Sequence, residues 1–489
     1  MPLLAKPNHT LIDHTRDVLK VFTSMSDVLK LSKIPNDIDI ETSLAVAIVM
    51  HDIGKAASGF QYMLEKAAMH ERVRWEYRHE ILSGAFMSAL TFEQEQMEQA
   101  AALATITHHK DLHKLYSSYN PGRKSSPGYK RFKDRLLETK QNLPEIIDLV
   151  HTLSTELAQD YPLASRILSS FPSNPDDLFT LALGNEPIGK YALPYLQNAK
   201  LRTPFLPKLV GVLLKGVMTA SDHLGSASPG STIRTLNSNI QFTKYAPNEA
   251  QIWTSKLSGS GILVAPTGSG KTEASLLWFK NNMQSNWIRR VFYLLPTIAS
   301  INKMYLRLRN QISGGNQNDF DLVSMAHYRS SFFLHDFYSN DNYHREEGLR
   351  KHLIDISRMV YSPLRVTTPF QPLKAIFGVA GFERVLTELM GSLIVVDEIH
   401  AYDPHTSALI LVMLEVLKQD YGANMLLMSA TFPTFLRRIF QVALNIDDPA
   451  IKQVMNESKP PRHRLVLLDG EVRDNIDKIK NCISEHKTL

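Results

Sequence analysis

The sequence predicts a multidomain protein in which an all-α region is followed by an α/β region built on a parallel sheet. In residues 1–230, apolar residues recur at spacings of three and four in segments such as LIDHTRDVLKVF and TSLAVAIVMHDIGK, and this is the period of an amphipathic helix. From about residue 245 onward, short β-rich runs alternate with helical stretches, a pattern typical of βαβ units.

The composition is that of an ordinary globular protein. The 489 residues are 44% hydrophobic and 21% charged, which excludes the collagen-like, disordered and membrane-embedded classes. A formal net charge of +5 is too small to argue for nucleic-acid binding. The single cysteine, Cys482, excludes an intrachain disulfide framework and a cysteine-cluster zinc site. Because no signal peptide or membrane span is recognisable, we expect a cytoplasmic protein without membrane contacts.

The change of pattern sets the predicted boundaries. The helical domain covers residues 1–230, a Gly/Ser/Pro-rich linker 231–245, the α/β domain 246–455, and the start of a further unit 456–489. The predicted parallel strands are GILVAP (261–266), VFYLLP (291–296), LIVVDE (393–398) and MLLMSAT (425–431).

A glycine-rich segment, APTGSGKT, lies between a predicted strand and a predicted helix. Its backbone N–H groups can surround phosphate oxygens at the helix N-terminus, its lysine can neutralise the β- and γ-phosphates, and its last threonine can bind Mg²⁺. The strict pattern begins with Gly, whereas this segment begins with Ala265. The candidate ATP-binding residues are Thr267, Gly268, Ser269, Gly270, Lys271 and Thr272.

Two further motifs follow later strands in the order that an ATPase requires. Asp397 and Glu398 end the third predicted strand in the sequence DEIH, and Ser429-Ala430-Thr431 ends the fourth. We expect Asp397 to hold Mg²⁺ through water and Glu398 to orient and deprotonate the attacking water.

Histidines and aspartates are concentrated on separate predicted helices of the first domain. Five imidazoles and two carboxylates are enough for two divalent cations that share one carboxylate, and imidazole-rich sites suit Mn, Fe, Co, Ni or Zn better than Mg²⁺. The candidate ligands are His14, His51, Asp52, His79, His108, His109 and Asp222.

The motifs of the second domain resemble those of superfamily 2 helicases, which carry AxxGxGKT, a DExH box and SAT. By this resemblance, Gln251 reads adenine, and Ser429 and Thr431 couple hydrolysis to motion. The segments Pro296-Thr297 and Thr367-Thr368-Pro369 would contact DNA phosphates, although these hydroxyl side chains could equally be loop caps.

The order H…HD…H…HH…D resembles the HD phosphohydrolases, and an HD domain before a DExH helicase resembles the helicase–nuclease of type I CRISPR systems. The resemblance implies a RecA-like second domain and a nuclease for single-stranded DNA that acts with a crRNA-guided surveillance complex. It assigns His14, His51, Asp52 and Asp222 to one metal, and His79, His108 and His109 to a second metal bridged by Asp52. Lys55 would contact the scissile phosphate, or else interact with a helix dipole.

Two features leave the function open. Residues 110–135 interleave basic side chains with Tyr116, Tyr119, Tyr129 and Phe132, as in single-strand binding sites or in a solvated loop with apolar anchors. The segment 456–489 resembles the opening of a second helicase lobe, but no Q-x-x-G-R-x-x-R run occurs. We therefore expect ATP binding with slow hydrolysis unless a separate chain completes the motor. The alternative is a nuclease-inactive adaptor that binds ATP and docks on the surveillance complex.

Overall fold

The structure is a computed structural model. It describes residues 2–34, 38–119, 126–200, 208–227, 233–236, 246–285, 290–314, 317–327, 329–330, 362–454 and 469–484. Residues 1–453 form one compact unit and residues 454–489 a second.

The N-terminal domain is helical, as predicted. Its helices are Leu11–Leu29 (α1), Ile40–Met50 (α2), Ser58–Ala68 (α3), His79–Ala85 (α4), Glu95–Thr107 (α5), Leu112–Tyr119 (α6), Pro127–Leu137 (α7), Leu143–Glu156 (α8), Pro162–Ser169 (α9), Pro175–Gly184 (α10), Leu193–Lys200 (α11) and Lys208–Ala227 (α12). In α2 every residue except Glu41 is buried, so this helix runs through the core while the others cover it.

Local sequence explains where the first helices begin. The Thr10 hydroxyl accepts a hydrogen bond from the Asp13 N–H at the start of α1, and the Asp39 carboxylate accepts one from the Thr42 N–H at the start of α2. A feature that the helical pattern did not predict precedes α1. Strands Leu4–Lys6 (β1) and His9–Thr10 (β2) pair in antiparallel fashion around Asn8, which has a positive φ of 62°.

The second domain contains a parallel sheet, as predicted. Its strands are Gly261–Val264 (β3), Val291–Leu294 (β4), Val323–Ala326 (β5), Leu364–Thr367 (β6), Leu393–Asp397 (β7), Asn424–Ser429 (β8) and Ile451–Gln453 (β9). In the described residues these seven strands lie in the order β5-β6-β4-β7-β8-β3-β9, and every pair is parallel. The central strands are buried throughout, because helices cover both faces of the sheet.

The helices of the second domain connect these strands. They are Glu249–Thr254 (α13), Lys271–Ser285 (α14), Ile298–Ser313 (α15), Phe370–Ile376 (α16), Phe382–Leu389 (α17), Pro404–Gln419 (α18) and Thr434–Ala443 (α19). Since all strands run the same way, the ends of β3, β7 and β8 meet at one edge of the sheet, where ligands bind in open α/β folds.

The predicted linker and the C-terminal segment are described only in part. Within 231–245 the structure describes residues 233–236, and Ile233 donates its N–H to the Ser24 hydroxyl at 2.7 Å. In the C-terminal unit the described residues include the helix Ile476–Ser484 (α20), whereas residues 455–468 lie outside the described residues. No described helix is long and apolar enough to cross a membrane.

Candidate metal centre and nucleotide site

The packing of five helical segments brings the seven predicted metal ligands together. His14 lies on α1, His51 and Asp52 follow α2, and His79 begins α4. The pair His108-His109 follows α5, and Asp222 lies near the end of α12. All of them except His109 are buried, so the cluster lies inside the helical domain with His109 at its exposed side.

Asp52 lies at the centre and turns its two oxygens in different directions. Its Oδ2 lies 3.2 Å from Nε2 of both His14 and His51. Its Oδ1 lies 3.0 Å from Nε2 of His79 and 3.9 Å from Nε2 of His108. One carboxylate therefore faces two groups of imidazoles, which is the arrangement of a bridging ligand.

Asp222 completes the first group and borders the second. Its Oδ1 lies 3.4 Å from Nε2 of His14 and 3.8 Å from Nε2 of His51, and its Oδ2 lies 4.0 Å from Nδ1 of His109. Donor atoms of His14, His51 and Asp52 lie within 4.8 Å of one another, and so do those of His79, His108 and His109.

Backbone carbonyls fix the orientation of two imidazoles. His51 Nδ1 lies 2.6 Å from the Ile48 carbonyl oxygen, and His108 Nδ1 lies 2.6 Å from the Thr105 carbonyl oxygen. Because a carbonyl only accepts, each Nδ1 carries the proton and donates it. Nε2 of each ring then keeps its lone pair and points it into the cluster, as in metal-binding histidines.

The donor atoms that point into the cluster show whether the site fits a cation. Among the described residues, Nε2 of four histidines and Oδ1 of Asp52 are buried and lack a hydrogen-bond partner. Buried polar atoms are normally paired, and neutral imidazoles and carboxylates are ligands for divalent transition metals. The donor set therefore fits such ions. The four histidines are His14, His51, His79 and His108.

The electrostatics favour the protonation states of ligands. Burial lowers the pKa of His108 to about 3 and that of His109 to about 3 as well. Burial alone would raise the pKa of Asp52, but the charge of Lys55 helps to hold it well below its usual range. At neutral pH these two imidazoles are neutral and the carboxylate is ionised.

The segment after Asp52 packs tightly against the next ligand. The Lys55 ammonium donates to Asp52 Oδ2 at 2.6 Å, so it lies inside the cluster rather than at a solvent-exposed helix end. The Gly54 N–H donates to the Ser83 hydroxyl at 2.8 Å, and a Cβ at Gly54 would lie 2.0 Å from the His79 carbonyl oxygen. Only glycine allows this close approach of α4 to Asp52.

Two histidines near the cluster were absent from the predicted set. His223 shares a potential ion-binding group with His109 and Asp222. The His9 ring lies 6.2 Å from the His14 ring, and its Nε2 lies 3.2 Å from Asp17 Oδ2. The only sequence signal for His223 was its position beside Asp222, and His9 carried none.

The glycine-rich segment forms a turn between β3 and α14. Gly268 and Gly270 have positive φ values of 75° and 80°, which glycine adopts without strain. The Lys271 ammonium donates to the Ala265 carbonyl oxygen at 3.1 Å and lies 3.6 Å from Glu398 Oε1. Gln251 packs beside this turn, because its Nε2 donates to the Gly270 carbonyl oxygen at 3.4 Å.

The acidic motif lies at the end of β7, beside the glycine-rich turn. Tyr293 donates its hydroxyl to Asp397 Oδ2 at 3.0 Å, and the Glu398 N–H donates to Asp397 Oδ1 at 3.0 Å. Burial, followed by the charge of Glu398, raises the pKa of Asp397 to about 6. Glu398 has a positive φ of 55°, an uncommon conformation for a residue with a side chain. His400 Nδ1 lies 2.7 Å from Ser429 Oγ, which links the ends of β7 and β8.

The remaining predicted residues of the nucleotide site include Thr267, Ser269 and Thr272. Thr272 lies at the start of α14, where Arg307 donates to its hydroxyl at 3.1 Å. Thr267 is exposed, whereas the Ser269 hydroxyl is buried and, among the described residues, has no partner. Arg307 and Tyr293 were not predicted, because they contact the site from distant parts of the chain.

The hydroxyl residues that were predicted to contact DNA have structural partners. The exposed Thr297 caps α15 and accepts a hydrogen bond from the Ser300 N–H at 3.2 Å. Thr367 is buried, and its hydroxyl donates to the Ala326 carbonyl oxygen at 2.7 Å. The Thr297 contact matches the capping interpretation, whereas the Thr367 hydroxyl bonds across the sheet to β5. The contact of these residues with DNA stays a prediction.

The basic segment 110–135 is largely helical. Residues 120–125 lie outside the described residues, and the remainder is mostly in α6 and α7. Tyr129 and Phe132 are buried in the domain, so they do not offer stacking surfaces to bases. This part of the stacking interpretation was wrong, because both aromatic rings lie on the inner face of α7.

Two family models match this chain, one over each domain. Residues 4–229 match the family model of the Cas3 HD domain, and residues 247–439 match that of the DEAD/DEAH box helicases. The CRISPR-associated nuclease/helicase Cas3 of Methanothermobacter thermautotrophicus is 25% identical over an alignment that covers 91% of this chain and 56% of that protein.

Two further matches extend the comparison. The CRISPR-associated endonuclease/helicase Cas3 of Escherichia coli K12 is 27% identical over 210 residues, which cover 39% of this chain and 22% of that protein. A crystal structure of T. fusca Cas3-ADP aligns with a TM-score of 0.47 and 19% identity, over 92% of this chain and 51% of that chain. The chain spans little more than half the length of the first of these relatives.

Proposed function

The chain joins a Cas3 HD domain to a DEAD/DEAH box helicase domain and belongs to the Cas3 nuclease/helicase family, and from this premise we propose that it is a metal-dependent nuclease for single-stranded DNA with an ATP-binding helicase lobe. Its role is the degradation of target DNA in type I CRISPR defence, and its partner is a crRNA-guided surveillance complex. The domain limits are those predicted from the sequence, with a RecA-like lobe at 246–455.

The observation that carries the nuclease is the position of Asp52 between two groups of imidazoles whose inner nitrogens lack a hydrogen-bond partner. His14, His51, Asp52 and Asp222 would hold one ion, and Asp52, His79, His108 and His109 the other. When bound, two such ions activate a water molecule and stabilise charge on a phosphodiester. Mn, Fe, Co and Ni are the metals that suit this donor set.

The protein residues orient these groups and control access to them. The Ile48 and Thr105 carbonyls fix the rings of His51 and His108, so both lone pairs point inward before any ion binds. The Lys55 ammonium, which is 12% exposed, places a positive charge beside Asp52 where a scissile phosphate would lie. His109 is on the exposed side of the cluster, which makes that side the entrance for a DNA strand.

The second domain would bind ATP and Mg²⁺ at the edge formed by β3, β7 and β8. Lys271 exchanges its contacts with Ala265 and Glu398 for the phosphates, and Thr272 and Asp397 hold Mg²⁺. Glu398 orients the attacking water, and Gln251 reads adenine. The contact between His400 and Ser429 gives the acidic motif a route to β8 when the nucleotide changes.

Cleavage of circular single-stranded DNA tests the nuclease. The purified chain is incubated with Mn²⁺, Ni²⁺ or Mg²⁺, with and without ATP, beside Asp52→Ala and the control Asp160→Ala at an exposed position. Loss of ligand-supporting residues typically costs 10- to 100-fold, so removal of the bridging ligand should cost more than about 100-fold. The control should cut normally. Absence of cutting by the folded wild-type chain with every metal would contradict the nuclease and favour the adaptor.

A further inference from the structure

Helix α12 touches the metal cluster along one of its faces. Asp222 belongs to the cluster, and one turn earlier the Thr219 hydroxyl donates to the His108 carbonyl oxygen at 3.2 Å. Residues three or four apart lie on the same face of a helix. The same helix therefore supplies one ligand and holds the backbone of another.

One turn before Thr219, Lys215 joins this face to the second domain. Its ammonium donates to Asp111 Oδ1 at 2.7 Å and to Glu383 Oε1 at 2.6 Å. Asp111 lies two residues after His109, and Glu383 lies on α17. The side chains of Lys215 and Glu383 are 19% and 11% exposed, so water screens this contact less than a surface ion pair.

Helices α12 and α17 pack too closely to slide past each other. A Cβ at Gly216 would lie 2.7 Å from the Glu383 carbonyl oxygen and 2.1 Å from the Thr387 hydroxyl. The Thr387 hydroxyl also donates to the Val212 carbonyl oxygen at 3.3 Å. The position of Glu383 relative to Lys215 is thus set by backbone packing.

His109 has no hydrogen bond that fixes its ring. Among the described residues none donates to or accepts from it, in contrast to the rings of His51 and His108, whose Nδ1 atoms donate to carbonyls. Its side chain is 31% exposed, its Nδ1 lies 4.0 Å from Asp222 Oδ2, and its ring packs against that of His108 at a centroid distance of 4.1 Å. The position of the ring therefore follows from the backbone of the His108-His109 segment and from this neighbouring ring.

We infer that Lys215 is a positioning residue for the second ion, acting through Asp111 on the His108-His109 segment and tying that segment to α17. The inference rests on the two-metal site proposed above. Without the ammonium, the carboxylates of Asp111 and Glu383 would face each other within a few ångströms and repel. The segment that carries His109 would then move away from Asp52 and Asp222.

Titration of the metal-free chain with Mn²⁺, followed by electron paramagnetic resonance in the absence of DNA, tests this inference. The wild-type chain should bind two Mn²⁺ ions and give the spectrum of a coupled pair. In Lys215→Met the second ion should bind about 10- to 100-fold more weakly, while the first binds normally. Lys215→Arg should restore the second ion, because its guanidinium can contact both carboxylates.

Two more variants complete the test, one as a control and one as an alternative if Lys215→Met does not fold. Lys190→Met removes a pair of equal length, 2.7 Å to Glu98 on α5, at a more exposed position and should bind both ions normally. Asp111→Ala removes the acceptor for Lys215 from a side chain that is 39% exposed, so it tests the inference even if Lys215→Met does not fold. Normal binding of the second ion by Lys215→Met or Asp111→Ala would overturn the inference alone. Binding of fewer than two ions by the wild-type chain would overturn the two-metal proposal together with it.

Discussion

The two candidate sites of this chain are built in opposite ways. The candidate metal cluster collects its predicted ligands from five helical segments, and in the described residues the inner nitrogens have no hydrogen-bond partner. The nucleotide site lies along one edge of one sheet, and its functional groups bond to one another. Lys271 donates to Ala265, Tyr293 donates to Asp397, and His400 contacts Ser429.

This difference teaches how each site depends on its ligand. Divalent cations would satisfy the inner atoms of the candidate metal cluster, so its geometry should be completed when metal binds. In the nucleotide site Lys271, Asp397 and Ser429 already have internal partners, so a nucleotide must replace these contacts with new ones. Changes in the cluster should therefore alter metal binding and stability, and changes at the sheet edge should alter nucleotide binding alone.

Among changes that should affect only one of the two sites, Lys271→Ala should have the largest effect. A hydrogen bond to a charged group contributes about 1.5–3 kcal/mol, so the Kd for ATP should rise by about 10- to 100-fold. Metal-dependent cutting without ATP should stay at the wild-type rate, because the lysine lies in the other domain. Nucleotide binding is measured by fluorescence of a labelled ATP analogue, with the exposed Lys256→Ala as control. A parallel fall in ATP-free cutting would break the separation of the two sites.

The pH dependence of nucleotide binding should identify Asp397. The pKa of this residue is raised to about 6, so its carboxylate becomes protonated below that pH and no longer holds Mg²⁺. Affinity for Mg²⁺–ATP should fall as pH drops below about 6, with a limiting slope of about tenfold per pH unit. For the nucleotide-free chain the sign is opposite, since a raised carboxyl pKa makes stability fall as pH rises between about 4 and 6. An unchanged profile in Asp397→Asn would assign the titration to another group.

A change outside the ligand set tests the packing of the cluster. In Gly54→Ala the new methyl group would meet the His79 carbonyl oxygen, and overpacking of this kind costs about 1–3 kcal/mol. We expect a lower unfolding free energy in urea and weaker Mn²⁺ binding. Gly184→Ala is the matched control, because nothing lies within 4 Å of its new Cβ. Equal stability of the two variants would show that α4 tolerates displacement.

The smallest effect is expected at Thr297, where two substitutions distinguish a helix cap from a DNA contact. Loss of its hydroxyl in Thr297→Ala should lower the unfolding free energy by about 1 kcal/mol. Thr297→Asp keeps a capping oxygen but adds a negative charge that repels phosphate. Anisotropy of labelled single-stranded DNA should change little in either variant if the residue is only a cap. Weaker DNA binding by Thr297→Asp with normal stability would instead place this residue on the DNA path.

The extent of successful sequence prediction differs between the two sites for a physical reason. The glycine-rich turn at Gly268 and Gly270 and the acidic motif at Asp397 were recognisable because their geometry follows from a strand and the loop after it. The contact of Tyr293 with Asp397 was not recognisable, because it joins residues far apart in the chain.

In the helical domain, periodicity predicted the helices but not how they meet. The seven ligands were grouped through a resemblance to known families, whereas their distances depend on helix packing that no local pattern records. The same limit hid the inward direction of Tyr129 and Phe132 and the role of Lys215 between two domains. The strands β1 and β2 were missed because a pair this short carries no period.

Anomalous diffraction from crystals grown with MnCl₂ tests the central claim most directly, namely that Asp52 bridges two metal ions. Two peaks separated by about 3.5–4 Å are expected, one on each side of the Asp52 carboxylate. The first should lie beside His14 and His51, and the second beside His79 and His108. A single peak, or two peaks that do not share Asp52, would contradict the account.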